Sequence, residues 1–183
     1  MKISSNIKNI LSNVTDWRHQ LHNNPELGYE EAWTSDFISQ KLKSFGIEVH
    51  RGFGGTGVVG VLKGDQGGGN RAIGLRADMD ALPIQEENEI TYKSKYDGKM
   101  HACGHDGHVA MLLGAARILS EHKKFNGTVY FIFQPAEEGG AGGLEMINDG
   151  LFNNFSMESV WGLHNWPGLD VGEIAVHKGP VMA

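Results

Sequence analysis

Four short stretches of the chain contain side chains of the kinds that bind metal ions or transfer protons. They are Asp78 with Asp80, Cys103 with His105, Glu137 with Glu138, and His164. Three of them directly follow short apolar runs that are typical of strands. Because catalytic groups in α/β proteins gather beyond the carboxyl ends of strands, we expect these four groups to meet at one edge of a sheet.

Cys103 and His105 are separated by one residue, so both side chains can point the same way from an extended loop. Thiolate and imidazole together suit zinc or a similar transition metal. An isolated Cys-x-His is more often a buried cysteine beside a surface histidine. Here three further ligand-forming residues, His101, Asp106 and His108, surround the only thiol. A solvated face would rarely use three histidines, so the pattern favours metal binding.

Glu137 and Glu138 are adjacent, so their side chains diverge. One carboxylate can then bind a metal while the other faces a substrate or a water, as metal-assisted hydrolysis requires. An isolated Glu-Glu-Gly-Gly is usually a solvated turn, but this one follows the apolar run Val129–Phe133. Asp78 and Asp80 would share one face of an extended strand. They either orient a metal-binding histidine or simply form a polar strand end.

The elements that must position these groups can be read from apolar periodicity. Helical spacing predicts helices from Ser4 to Asn24, from about Glu30 to Ser44, from about Asp106 to Glu121, and near Gly143–Asp149. Runs rich in β-branched, aliphatic or aromatic residues predict strands at Ile47–His50, Gly57–Leu62, Ala72–Arg76, Thr128–Phe133 and Ser159–Leu163, with a further candidate at Val171–Val176. The alternation predicts a layered α/β domain, and the closeness of the first two strands predicts a mixed sheet.

Composition excludes several classes of protein. The 183 residues suffice for one domain, and the formal charge of −6 argues against nucleic acid as a partner. The chain has no apolar run of the length that spans a membrane, and its N-terminus lacks a signal-peptide pattern. Cys103 is the only cysteine, which excludes an internal disulfide and fits a reducing compartment. We therefore expect a cytoplasmic protein.

Together these motifs resemble the M20 family of metallopeptidases, specifically its aminoacylase-like amidohydrolase branch. That branch includes hippurate hydrolases, N-acyl-amino-acid amidohydrolases and auxin-conjugate hydrolases. The resemblance covers essentially the whole chain, and the motif around Cys103 and His105 is its most specific part. The matching stretches are Trp17–His22, Pro25–Gly28, Leu75–Ile84, Met100–His108, Phe133–Gly139 and Gly162–His164.

The resemblance implies a zinc-peptidase-like catalytic domain that binds two divalent metal ions, which could be zinc, manganese, nickel or cobalt. The implied substrate is a small N-acyl amino acid, cleaved at its amide bond. Glu137 would be the general base that activates the water and returns the proton to the leaving amine. Asp80 would orient a ligand or support the base. The implied metal ligands are Cys103, His105, Glu138 and His164.

The chain departs from the family in its length, because family members are about twice as long. They insert a lid and dimerisation domain after the segment that ends at Ala183. A returning segment then completes the catalytic domain and supplies another metal-binding histidine. Residues 1–183 are therefore expected to be the N-terminal portion of that domain, incomplete at the C-terminus and weakly active or inactive alone. Exposed strand edges would favour a homo-oligomer.

Two other functions agree with the same residues. The first is a non-catalytic metal-binding or assembly module, in which the motifs serve only folding. The second is a cysteine hydrolase with Cys103 as nucleophile and a histidine as base, although the Glu137–Glu138 pair would then have no role.

Overall fold

The computed structural model describes residues 4–67, 69–176 and 178–179. Helices and strands alternate, as the sequence predicts, and the layered α/β class is confirmed. The helices are α1 (Ser5–Asn23), α2 (Ala32–Ser44), α3 (His105–Glu121), α4 (Gly142–Asn148) and α5 (Leu151–Asn154). The strands are β1 (Glu48–Phe53), β2 (Gly57–Lys63), β3 (Ala72–Asp78), β4 (Thr128–Gln134) and β5 (Ser159–Gly162).

The five strands form one sheet in the order β1-β2-β4-β3-β5. β3 is parallel to both β4 and β5, whereas β2 is antiparallel to β1 and β4. The predicted mixed sheet is therefore confirmed. Because β3, β4 and β5 run the same way, their carboxyl ends lie at one edge of the sheet.

Alternating side chains of the central strands build two separate cores. On β4, Phe131 and Phe133 pack into a cluster with helices α1, α2 and α3, whereas Ile132 packs into one with α4 and α5. On β2, Val58 and Val59 divide in the same way. This period of two places helices on both faces of the sheet and makes a three-layered domain.

The start of α2 differs slightly from the prediction. The helix begins at Ala32 rather than Glu30, because the carboxylate of Glu26 accepts hydrogen bonds from the N–H groups of Trp33 (3.0 Å) and Thr34 (2.8 Å). Those N–H groups would otherwise lack partners at the helix end. α1 is capped by Ser4, whose side chain accepts a hydrogen bond from the N–H of Ile7, the third residue of that helix.

The prediction of a strand at Val171–Val176 is wrong. These residues form turns and irregular backbone, and the side chains of Val171, Ile174 and Val176 are largely exposed. β5 ends the sheet within the described residues, so no neighbouring strand is there to pair with this segment. The chain end beyond it, Lys178–Ala183, lies mostly outside the described residues. None of the described helices is long and apolar enough to cross a membrane.

Candidate metal centre

The predicted groups meet at the carboxyl edge of the sheet. β3 leads directly into Asp80, β4 leads into the Glu137–Glu138 pair, and β5 leads into His164. α3 begins beside them with His105 as its first residue. The parallel arrangement of the three strands is therefore what assembles this site.

The loop after β3 holds the imidazole ring of His105 in one orientation. Its Nδ1 lies 2.9 Å from the carbonyl oxygen of Asp80 and 3.2 Å from Asp80 Oδ1, and both of these atoms accept. Nδ1 therefore carries the proton, which leaves a lone pair on Nε2. This Nε2 is buried and has no hydrogen-bond partner among the described residues. It lies 3.9 Å from a carboxylate oxygen of Glu137 and 3.9 Å from one of Glu138.

Cys103 and His164 complete the arrangement around that lone pair. The Sγ of Cys103 lies 3.4 Å from Nε2 of His164. Nδ1 of His164 donates to the carbonyl oxygen of Asn165 at 2.6 Å, so its Nε2 also presents a lone pair. One ligand atom from each of Cys103, His105 and His164 lies within 4.8 Å of the others. A thiol and two imidazole lone pairs so close together are the donors that zinc and similar ions bind.

Two further groups of donors share His105. One joins it to the Glu137–Glu138 pair, and the other to Asp78 and His108. Nδ1 of His108 is buried without a hydrogen-bond partner among the described residues, and burial lowers the pKa of His108 to about 4. The neutral imidazole therefore offers a lone pair beside the centre. A cation beside these residues would give a partner to both buried nitrogens, Nε2 of His105 and Nδ1 of His108.

The charge state of the site follows from its hydrogen bonds. Burial alone lowers the pKa of His105, but the bond to Asp80 and the charge of Asp78 leave it above its ordinary value. Burial would raise the pKa of Asp80, yet the bonds from His105 and from the N–H of Glu138 hold it below its ordinary value. Burial and the neighbouring Glu138 raise the pKa of the Cys103 thiol to about 12. A bound cation favours the thiolate instead.

Asn165 is a contributor that the sequence interpretation missed. Its Oδ1 lies 2.7 Å from Nε2 of His108, and its side chain fills the space where a Cβ on Gly104 would lie. Gly104 has a φ of 96° and separates the two candidate ligands of the α3 loop. Asn165 thus fastens the end of β5 to the first turn of α3. Its position directly after His164 was the only signal in the sequence.

His101 and Asp106 lie elsewhere than the sequence interpretation suggested, because neither joins a group of potential metal ligands among the described residues. Asp106 Oδ2 accepts bonds from Arg18 at 3.1 Å and from Nδ1 of His22 at 2.9 Å. The other nitrogen of His22 lies 3.1 Å from Glu86. With a carboxylate on each nitrogen, His22 is held as an imidazolium. This buried network fastens α1 to the first turn of α3.

The His22 network makes the stability of the fold depend on pH. The bond to Asp106 outweighs burial and raises the pKa of His22 above 6.5. Its contribution to folding is therefore complete below about pH 6.5 and is lost as pH rises through the folded-state pKa. We expect His22→Gln to lower the free energy of unfolding by about 3 kcal/mol near pH 6, because it leaves a buried charge pair broken.

Urea unfolding of both proteins between pH 5 and 9 checks this prediction, with the exposed His122→Gln as control. The difference between wild type and His22→Gln should shrink as pH rises. A difference that stays constant or grows above pH 7 would show that His22 is not charged in the fold.

Comparison with known proteins places this site in a family. The chain is 52% identical to a hippurate hydrolase of Campylobacter jejuni over 166 residues, which are 91% of this chain and 43% of that protein. It is 44% identical to an N-acyl-L-amino acid amidohydrolase of Geobacillus stearothermophilus over 97% of this chain and 47% of that protein. The chain thus spans about half the length of these relatives.

A solved structure from Bacillus subtilis, described as a dinuclear metal binding peptidase from the M20 family, superposes with a TM-score of 0.88 at 40% identity. The match covers 94% of this chain and 48% of that one. The sequence model of Peptidase family M20/M25/M40 matches residues 74–179, which include every residue of the candidate centre. That match covers more than half of the chain, and the chain therefore belongs to Peptidase family M20/M25/M40.

Proposed function

We propose that the protein is a metal-dependent amidohydrolase that cleaves the amide bond of N-acyl amino acids. The observation that carries the proposal is the buried, unpartnered Nε2 of His105, which faces the Cys103 thiol, the His164 imidazole and the Glu137–Glu138 pair. The similar proteins include a hippurate hydrolase and an N-acyl-L-amino acid amidohydrolase, which supports the substrate class. A non-catalytic assembly module would not need a second carboxylate, that of Glu137, beside the metal ligands.

Two divalent metal ions are proposed, in line with the dinuclear peptidase of similar structure. Cys103, His105, Glu138 and His164 would hold these ions. When bound, such ions lower the pKa of water and polarise the substrate carbonyl. Zinc, manganese, nickel and cobalt all accept this mixture of sulfur, nitrogen and oxygen donors.

Glu137 is proposed to move the protons. Its carboxylate takes a proton from the attacking water as the oxygen adds to the carbonyl carbon. Glu137 then delivers that proton to the amine nitrogen as the C–N bond breaks, which releases a carboxylate and a free amino acid. Its side chain is about one-fifth exposed, so it can reach a substrate and an attacking water.

Asp80 is proposed to hold His105 in the orientation that exposes Nε2. It also accepts a bond from the backbone N–H of Glu138 at 2.9 Å, so one carboxylate aligns two ligands. We expect Asp80→Ala to weaken metal binding by about 10- to 100-fold, as outer partners of metal-bound histidines do. Competition with a chelator measures this loss. Equal affinity in Asp80→Ala and wild type would remove Asp80 from the site.

The remaining expectations are part of the proposal. Residues 1–183 would form the N-terminal portion of a catalytic domain, with the lid and dimerisation domain and the returning segment outside them. The use of a lone cysteine as a thiol suits a reducing compartment such as the cytoplasm. The acidic charge fits a small-molecule substrate rather than nucleic acid. Self-association through the exposed edge of β5 is also expected.

Release of free amino acid from N-benzoylglycine and N-acetyl amino acids tests the proposed function. Residues 1–183 are assayed alone and together with the remaining half of a relative. We expect slow or no hydrolysis by the chain alone. With the second half, we expect hydrolysis that a chelator abolishes and that added zinc or manganese restores. A folded, metal-loaded assembly that hydrolyses none of these amides would overturn the proposal.

A further inference from the structure

The segment Glu26–Glu31 lies against the loop that carries Glu137 and Glu138. Its last residue, Glu31, is completely buried. Glu31 Oε1 accepts a hydrogen bond from the backbone N–H of Ala136 at 2.9 Å, and Oε2 accepts one from the hydroxyl of Thr56 at 2.6 Å. We infer that Glu31 is a positioning residue that holds the base in place, an inference that rests on the proposed function.

The neighbouring helix does not explain the burial of Glu31. Glu31 is the N-cap residue of α2, yet its side chain makes no cap hydrogen bond. The carboxylate of Glu26 binds the first free N–H groups of that helix instead. Burying a carboxylate costs free energy unless its oxygens are hydrogen-bonded. One side-chain bond of Glu31 goes to Ala136 in the loop after β4, and the other goes to Thr56 in the turn between β1 and β2. The buried carboxylate therefore ties the loop after β4 to the body of the fold.

Ala136 is the residue at which this loop turns. Its φ of 48° lies in the left-handed region, which residues other than glycine rarely adopt. The turn is tightly packed, since a Cβ on Gly140 would lie 2.6 Å from the Cβ of Ala136 and one on Gly28 would lie 3.0 Å from it. The next residue is Glu137. The hydrogen bond that the Ala136 N–H donates to Glu31 therefore fixes the unusual conformation immediately before the base.

The same segment also contacts the loop after β3. Leu27 pairs with Ala81, and the N–H of Ala81 donates to the carbonyl oxygen of Glu26 at 2.8 Å. Ala81 directly follows Asp80, whose Oδ2 binds the N–H of Glu138. The segment Glu26–Glu31 thus fixes the two loops relative to each other, although it supplies no ligand itself.

Three variants test this role: Glu31→Leu, Glu31→Gln and the control Thr34→Val. Thr34 is a buried neighbour whose hydroxyl has no hydrogen-bond partner among the described residues, so the control should behave as wild type.

Leucine at position 31 removes both acceptors, and we expect kcat to fall by about 10- to 100-fold with KM unchanged, because small displacements of a catalytic group have effects of this size. Glutamine keeps an acceptor for Ala136 and should restore kcat to within about threefold. Zinc binding by Cys103, His105 and His164, measured by chelator competition, should be unaltered in all three.

Two results would overturn the inference. The first is folded Glu31→Leu with the kcat of wild type, and the second is Glu31→Gln as impaired as Glu31→Leu. If Glu31→Leu does not fold, hydrogen exchange of the Ala136 amide in wild type and Glu31→Gln decides. Slow exchange in both proteins supports the hydrogen bond from the Ala136 N–H to residue 31. Fast exchange in wild type overturns the inference. The values of kcat are measured on residues 1–183 together with the second half of a relative. An inactive wild-type assembly would refute the proposed function separately, because the exchange and zinc measurements need no activity.

Discussion

Replacing Glu137 by glutamine is expected to lower kcat for hydrolysis of an N-acyl amino acid by about 10²- to 10⁴-fold, the usual contribution of a general acid–base group. Glutamine has nearly the same shape but cannot accept the proton of the attacking water. The effect should fall on kcat rather than on metal content, because the proposed ligands are other residues. Steady-state kinetics and elemental analysis of residues 1–183 assembled with the second half of a relative measure both quantities.

Two further variants sharpen this prediction. Glu138→Gln should lose metal as well as activity, since Glu138 is a proposed ligand. Glu121→Gln, at the exposed far end of α3, should retain both. If Glu137→Gln loses metal but keeps its rate per bound metal, the roles of the two adjacent carboxylates are reversed. If it retains full activity, a carboxylate base at this position is excluded.

Replacing Cys103 by alanine is expected to weaken metal binding by more than about 100-fold, because even the loss of an outer partner costs 10- to 100-fold. Hydrolysis should be lost in parallel. Aspartate at position 103 could still bind a metal through oxygen, so Cys103→Asp should keep part of both properties. Chelator competition and turnover assays on the two variants, with the exposed neighbour Ala102→Ser as control, give the comparison.

This pair of variants also separates the metal site from a cysteine nucleophile. The 3.4 Å contact between Cys103 Sγ and His164 Nε2 would suit either chemistry. A nucleophilic thiol cannot be replaced by aspartate. Full metal content with no activity in Cys103→Asp, together with activity in the metal-free wild type, would therefore identify a cysteine hydrolase.

Much of the fold could be predicted because the apolar periodicity changes along the chain. Trp17 and Leu21 on α1 are buried as their patterns indicate, and so are four of the five residues in the run Val129–Phe133 on β4. The site could be located because three ligand-bearing stretches each follow a strand. The prediction of a strand at Val171–Val176 failed because a strand needs a neighbouring strand to pair with, and composition alone does not show whether one is present.

The supporting residues could not be predicted, because their roles arise from contacts between distant parts of the chain. Glu31 reads as an acidic residue at the start of an amphipathic helix, and only the structure shows that it is buried against Ala136. His22 appeared in a matching motif, but nothing in its sequence context indicates that it lies between Glu86 and Asp106. Side chains that orient ligands do not occur at a characteristic spacing in the sequence.

X-ray absorption spectroscopy of the zinc-loaded protein tests the central claim, that Cys103 forms a metal site with His105 at the start of α3 and His164 after β5. We expect a sulfur neighbour at about 2.3 Å from zinc, with nitrogen or oxygen neighbours at about 2.0–2.2 Å. In Cys103→Asp the sulfur signal should disappear while zinc remains bound. A wild-type spectrum with only nitrogen and oxygen neighbours would contradict the claim, because the thiol would then lie outside the metal site.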